Sequence, residues 1–242
     1  MLGAYFGYTL VQVTGNFWLA LIVAPLLVAG IGVLMEAFTI RPLYGLNPLY
    51  QLLLTVGLAM VIANAVLLVW GGDQLAINLP AYFKGYVHFL GLDYPRFRLF
   101  VLLFSAAIAA FLWVTISRTK WGIVIRAGMF DLETVNAFGI NIYRVFTMVF
   151  AAGAGLAALA GVVIGSMRAI NPEMDFDLLT SALLVIVIGG MGSFRGAVVG
   201  SLLLGVTDAF GAQFFTATAK FTVWVLMVLV LLFRPAGLLK ED

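Results

Sequence analysis

The sequence predicts an all-α protein, a polytopic membrane bundle of helices. Apolar residues make up 64% of its 242 residues, charged residues only 10%, and the mean hydropathy is +1.13. A soluble domain carries roughly a quarter of its residues charged. The charged residues here also stand in gaps between long uncharged runs, and a run of about 18 or more apolar residues crosses a hydrocarbon core as a helix.

The uncharged runs predict about seven or eight hydrophobic segments, at about 2 to 14, 17 to 38, 50 to 70, 98 to 117, 144 to 167, 176 to 188, 197 to 210 and 219 to 233. Pro25 favours a kink in the second segment. The last three segments are shorter, which favours short, tilted or partly re-entrant helices. Because no hydrophilic region interrupts the chain, we expect one membrane domain over residues 1 to 242. The first segment has no hydrophilic lead-in, so we expect Met1 to be an internal methionine of a longer protein.

Lys and Arg are more frequent in cytoplasmic loops, so their distribution predicts an orientation. One side carries eight of them, namely Arg41, Arg118, Lys120, Arg126, Arg144, Arg195, Arg234 and Lys240. The other side carries five, namely Lys84, Arg96, Arg98, Arg168 and Lys220. We therefore expect the 118–144 loop and the C-terminus to be cytoplasmic, and the long loop of about 71 to 97 to be external.

The ionisable residues do not suit an enzyme. The chain has no cysteine and a single histidine, His88, so it cannot build a thiolate or multi-histidine metal site. Glu36, Asp177 and Asp208 each stand alone in a segment, and no carboxylate pair has helical spacing. We expect Glu36 to reach the membrane interface beside Arg41. The net charge of +2 gives no indication of nucleic-acid binding, and no metal or cofactor is expected.

With an enzyme and a nucleic-acid-binding protein disfavoured, the remaining function is transport. Two energy sources for transport are possible. No Gly-Lys dipeptide occurs, so the chain has no phosphate-binding loop, and any ATP is bound by another subunit. The alternative is an ion-coupled secondary carrier or channel that uses Glu36 and Asp208 without an ATPase. Asn64 is the main polar residue of the middle spans. It either hydrogen-bonds across helices or lines a pathway.

Glycines at four-residue spacing let helices approach closely in lipid. Gly3 with Gly7, and Gly161 with Gly165, have this spacing. A denser string, GGMGSFRGAVVG, places Gly189, Gly190, Gly192, Gly196 and Gly200 between two short hydrophobic segments. This pattern favours a bend or re-entrant turn.

The predicted inner loop contains RAGMFDLETVNAFGIN, residues 126 to 141. Asp131 suits the start of a short helix and Gly139 its end, while Leu132, Val135 and Phe138 recur at three-residue spacing. Such a helix either docks in a groove of a partner protein or lies on the membrane or on its own bundle.

These motifs resemble the permease subunits of branched-chain amino acid ABC transporters. The likeness rests on Arg126, Ala127, Asp131, Gly139, Ile140 and Asn141, followed by AAGAGLAALAG, then Asn171-Pro172, GGMGS with its following Gly-Ala, and the RPAGLL ending. The chain departs from the family pattern at Met129, Phe130 and Val135. It also lacks the additional N-terminal membrane segment that the family carries, and with it part of the translocation path if Met1 is the true start.

The resemblance implies an importer of branched-chain or related small amino acids in the bacterial plasma (inner) membrane. Its partners would be two cytoplasmic ABC ATPases, a second related permease and an external solute-binding protein, with ATP bound by the ATPases and membrane lipid around the helices. Asp131 and Gly139 would shape the coupling loop that the ATPases grip. Asn64 and the Gly189 to Gly200 break would lie near the permeation path or the permease interface.

Overall fold

The computed structural model describes residues 1–89, 92–130, 132–172, 174–190, 192–214, 219–234 and 237–238. Its helices are α1 Leu2–Thr14, α2 Phe17–Met35, α3 Pro48–Trp70, α4 Arg96–Arg118, α5 Lys120–Phe130, α6 Leu132–Ala137, α7 Ile142–Gly165, α8 Met174–Gly189, α9 Phe194–Phe214 and α10 Ala219–Phe233. The all-α class is confirmed. Five of the described helices are long and apolar enough to cross a membrane, at 17–43, 49–70, 96–118, 142–165 and 194–214.

Local sequence signals account for the helix boundaries in the first half of the chain. The Asn16 side chain accepts hydrogen bonds from the backbone N–H groups of Trp18 and Leu19 and so caps α2. Asn47 caps α3 in the same way, with Pro48 at the first helical position. Helix α2 continues through Pro25 and then changes pitch, because Glu36–Ile40 form a π-helix and Arg41–Leu43 a 3₁₀ helix.

Three local features differ from the sequence predictions. Helix α9 has 21 residues, so it is a full-length span by length and not a short segment. A helix already begins at Lys120, because the apolar residues of α5 continue the pattern upstream of Arg126. The predicted external loop also contains a two-stranded antiparallel hairpin, β1 Tyr86–Phe89 paired with β2 Leu92–Pro95.

The described chain forms two compact units, one of residues 1–108 and 114–174 and the other of residues 109–113 and 175–242. In the first unit, α1 and α2 pack on α7. A Cβ atom at Gly3 would lie 2.2 Å from the carbonyl oxygen of Ala158, and one at Gly32 would lie 2.9 Å from the Ala154 Cβ. These glycines therefore allow near contact between helix backbones. In the second unit, α9 packs against both α8 and α10.

The two ends of the first unit differ in chemistry. At one end, the backbones of Leu75 and Ile170 exchange two hydrogen bonds of 3.0 and 2.7 Å. An aromatic cluster lies in this unit as well, with the Phe83 ring 5.3 Å from Phe97 and 5.0 Å from Phe100. The opposite end carries Arg41, Arg118 and the loop helices α5 and α6. Within the first unit, α2, α4 and α7 each connect these two ends.

Gly3→Ala tests the close approach of α1 and α7. We expect this substitution to lower the free energy of unfolding by about 1 to 3 kcal/mol, because the added methyl group meets backbone atoms that cannot rotate away. Thermal unfolding in detergent, followed by circular dichroism, measures the loss. Gly153→Ala in α7 is the matched control, since a Cβ there has nothing within 4 Å. Equal melting temperatures for the two variants would contradict this packing.

Candidate functional site

The loop between α4 and α7 is built from two short helices that are tied back to the spans. A tight turn joins α4 to α5, since a Cβ atom at Gly122 would lie 1.8 Å from the Ile116 carbonyl oxygen. The Arg126 guanidinium donates a hydrogen bond of 2.9 Å to the same carbonyl. Arg126, singled out in the sequence, therefore holds α5 against the end of α4.

The structure changes the interpretation of the loop helix. Residues 126 to 130 belong to α5, which begins at Lys120, and a separate helix begins at Leu132. Asp131 itself lies outside the described residues. Ala127 is exposed on α5. Helix α6 spans Leu132–Ala137, six residues, so the loop holds two consecutive helical segments and not one.

Gly139, Ile140 and Asn141 form a capped turn into α7. Gly139 has a φ of +79°, a conformation that glycine adopts without steric cost, and its N–H donates to the Asn136 carbonyl. The Asn141 side chain accepts a 3.2 Å hydrogen bond from the Arg144 N–H and so caps α7. The direction in which the chain leaves α6 and enters α7 is therefore set by these residues.

The loop helices rest on the first turns of α7 through an apolar cluster. Val135, Ile142 and Val145 are buried together, with Val124, Ile125 and Phe146 packed around them. Phe138, in contrast, has 80% of its surface exposed. The apolar residues of the loop are thus divided between a buried side, which packs on the chain's own helices, and an exposed side.

A buried carboxylate lies where the end of α2 meets the beginning of α7. Glu36 is 0% exposed, so its carboxylate is enclosed by protein and does not lie on the surface of the chain. The Thr147 hydroxyl donates to it at 2.6 Å and the Tyr44 hydroxyl at 3.0 Å. Arg41 pairs with it at 3.5 Å and donates to the Thr147 oxygen at 2.7 Å. Sequence reasoning found the Arg41 partner and missed Tyr44 and Thr147.

Tyr44 lies just past the end of the second span. Burial raises the pKa of its hydroxyl to about 12, and the hydrogen bond to Glu36 and the charge of Glu36 act in the same direction. The hydroxyl is therefore protonated at neutral pH and acts as a donor to the carboxylate. The Tyr44 ring also stacks on Tyr143, with centroids 6.2 Å apart and planes 12° apart.

The glycine-rich break is a sharp turn between the antiparallel helices α8 and α9. Gly190 and Gly192 have φ values of 100° and 86°, and Met191 lies outside the described residues. A Cβ atom at Gly196 would lie 2.0 Å from the Gly189 carbonyl oxygen, and one at Gly200 would lie 3.0 Å from that of Val185. The five glycines therefore serve both the turn and the contact that follows it.

The remaining polar candidates are exposed. The Asn64 amide donates to the Met60 carbonyl of its own helix at 2.8 Å, and no hydrogen bond to another helix is recorded for it among the described residues. Asp208 is exposed on α9. His88 pairs with Asp93 across the β1–β2 hairpin, where both side chains are exposed. Within the described ranges, no group of three or more potential metal ligands occurs.

Five described helices that are long and apolar enough to cross a membrane define the class, a multi-pass membrane protein. A family model described as the permease component of branched-chain amino acid transport systems matches residues 1–233. The chain belongs to this family. It is therefore a transport subunit of the bacterial inner membrane and not an enzyme, which confirms the resemblance read from the loop and the glycine motifs.

Curated relatives agree with this membership. The permease protein BraD of Pseudomonas aeruginosa, from a high-affinity branched-chain amino acid transport system, is 35% identical over 99% of this chain and 82% of its own length. LivH of Salmonella typhimurium, from a system of the same description, is 32% identical over 85% of this chain and 68% of its own length. The probable branched-chain amino acid permease LivM of Methanocaldococcus jannaschii is 27% identical over 58% of this chain and 46% of its own length. No solved structure gives a significant match.

A graded series of alanine variants tests the glycine contact in the second unit. We expect Gly196→Ala to lower the free energy of unfolding by about 1 to 3 kcal/mol, since its methyl group meets the Gly189 backbone. Gly200→Ala should cost less, because its nearest contact is longer. Gly205→Ala, on the same helix with nothing within 4 Å of its Cβ, is the control. Thermal unfolding in detergent ranks the three variants, and any other order would argue against the contact.

Proposed function

We propose that the chain imports branched-chain or related small amino acids as the membrane-spanning permease subunit of an ATP-driven transporter. Family membership over residues 1–233 is the observation that carries this proposal. BraD and LivH, at 35% and 32% identity, belong to systems named for this substrate class. The spans also suit the substrate's side chains, since apolar groups dominate their surfaces.

The partners follow from what the chain lacks and what it presents. The sequence contains no phosphate-binding loop, so we propose that two cytoplasmic ABC ATPases bind the ATP. They would grip the 118–144 loop, whose exposed Phe138 and Ile140 are available for contact. A separate solute-binding protein would deliver the amino acid from outside.

A second, related permease completes the proposed assembly. Similarity of the chain to both LivH and LivM supports a pair of different but related permeases. In the most apolar stretch of α4 no residue is fully buried, and in that of α3 few are. These apolar faces would contact lipid or the second permease. Residues 1 to 242 would act as one permease domain, with Asn64 and the Gly189 to Gly200 turn near the path or this interface.

The proposed coupling role of the 118–144 loop can be tested by measuring amino acid uptake in two loop variants. We expect Gly139→Pro to abolish ATP-driven amino acid uptake, because proline cannot adopt the φ of +79° found there. Asp131→Lys should have the same effect by reversing the charge of the loop. Uptake of radiolabelled leucine, isoleucine and valine in cells that carry the whole transporter measures both variants, and membrane insertion should be retained.

Asp73→Lys is the matched control, since this exposed carboxylate lies in the loop at the opposite end of the spans. Co-purification of the tagged chain should recover an ATPase pair and a second permease, and scrambling residues 126 to 141 should release the ATPases. Normal uptake in both loop variants would refute the coupling role. Ion-driven uptake by the purified chain alone would favour the secondary carrier instead.

The proposed orientation predicts opposite labelling of two sites. The chain has no cysteine, so a single introduced cysteine is the sole thiol target. Phe138→Cys should react with a membrane-impermeant maleimide only after the membrane is opened, because the 118–144 loop would be cytoplasmic. Tyr86→Cys in the hairpin should react on intact spheroplasts. The side chains at both positions are exposed, Phe138 at 80% and Tyr86 at 61%. The reverse labelling pattern would show that the chain has the opposite orientation in the membrane.

A further inference from the structure

The loop helices are connected to the spans through the first turns of α7. Val135 of α6 packs against Ile142 and Val145, which are 0% and 5% exposed. Gly128 of α5 also faces Ile142, since a Cβ atom at Gly128 would lie 2.5 Å from the Ile142 Cδ1. A displacement of α5 and α6 therefore acts directly on the beginning of α7.

The next turn of α7 is fixed to the end of α2 by the Glu36 joint, which consists of Glu36, Arg41, Tyr44 and Thr147. Donors from both segments meet the same carboxylate, with Thr147 on α7 at 2.6 Å and Tyr44 beyond α2 at 3.0 Å. The Tyr44 ring also meets the Phe146 ring edge-on, with centroids 5.7 Å apart. Polar and aromatic contacts thus join the same two segments.

Burial makes this connection difficult to break. A carboxylate inside a membrane protein that loses a hydrogen-bond donor keeps the cost of its desolvation without the compensating bond. Sliding of α2 relative to α7 would separate Glu36 from Thr147. Glu36 is also the first residue of the π-helix Glu36–Ile40. Such wider helical turns occur frequently at functional sites.

We propose that Glu36 is a positioning residue that makes α2 and α7 move as one body when the loop helices are displaced. The proposal rests on the proposed function, in which ATPases grip the loop. Movement passes from α5 and α6 through Ile142 to α7, and then through Thr147 and Glu36 to α2. Without the joint, the loop still engages the ATPases, while α2 no longer follows α7.

Thr147→Val tests the joint in the complete transporter, reconstituted in liposomes with its ATPases and binding protein. Valine keeps the shape of threonine and removes the hydroxyl, which donates to Glu36 and accepts from Arg41. We expect the amount of leucine moved per ATP hydrolysed to fall about tenfold, the size of a lost hydrogen bond to a charged group. ATP hydrolysis should stay within about twofold of the unaltered complex, because the loop is unchanged.

Matched variants separate the hydroxyl from the side chain's bulk. Thr147→Ser keeps the donor and should retain the unaltered ratio, and Tyr44→Phe keeps the ring stack while lowering the ratio. Glu36→Met keeps the length of the side chain and removes its acceptor oxygens. Combined with Thr147→Val, it should be no worse than the more severe single variant, since each change removes the same hydrogen bond. Thr55→Val is the control, because that hydroxyl bonds only to the Leu52 carbonyl of its own helix in the described contacts.

Two results would overturn the inference alone. One is an unaltered ratio in both Thr147→Val and Tyr44→Phe within assembled complexes. The other is a parallel loss of transport and hydrolysis together with a lowered melting temperature, the signature of a purely structural role. Failure of the unaltered chain to recover ATPases would instead overturn the proposed function, and the inference with it.

Discussion

Close backbone contact at glycine and alanine is the constraint on which both units of this protein depend. Lipid is as apolar as the helix surfaces, so helices gain little by leaving it unless their backbones come near enough for dense dispersion contacts. Gly3 against Ala158 and Gly189 against Gly196 provide that approach. Helices α1, α2 and α7 pack together within the first unit on this basis, and α8 to α10 pack together within the second.

Against this background of weak apolar contacts, the buried Glu36 is an exception. Its carboxylate contacts Thr147 on α7, and Arg41 and Tyr44 beyond the end of α2. It therefore specifies which turn at the end of α2 faces which turn of α7. Apolar packing between smooth helices tolerates sliding far more readily than a charged group that must keep its donors. The residues that begin α7 thereby link the loop, the apolar cluster of Val135 and Ile142, and the end of α2.

Much of the architecture was predictable because the membrane imposes simple rules. Hydrophobic segments had to be helical, since an unpaired backbone in lipid is too costly, and all eight predicted segments are helices. Gly139 was expected at a helix end and occupies one, with the required positive φ. The glycine string was expected to bend the chain, and it joins α8 to α9. Helix α5 and the length of α9 were not predicted, because periodicity does not define where a helix stops.

The sequence by itself determined the class of the protein and its family, because composition and motif order do not depend on three-dimensional contacts. Only the tertiary structure decided the environment of Glu36. Thr147 stands 111 positions away along the chain, and no local pattern marks the two as partners. The same holds for Gly3 and Ala158. Contacts between distant helices depend on which faces meet, and that is set when the whole unit packs.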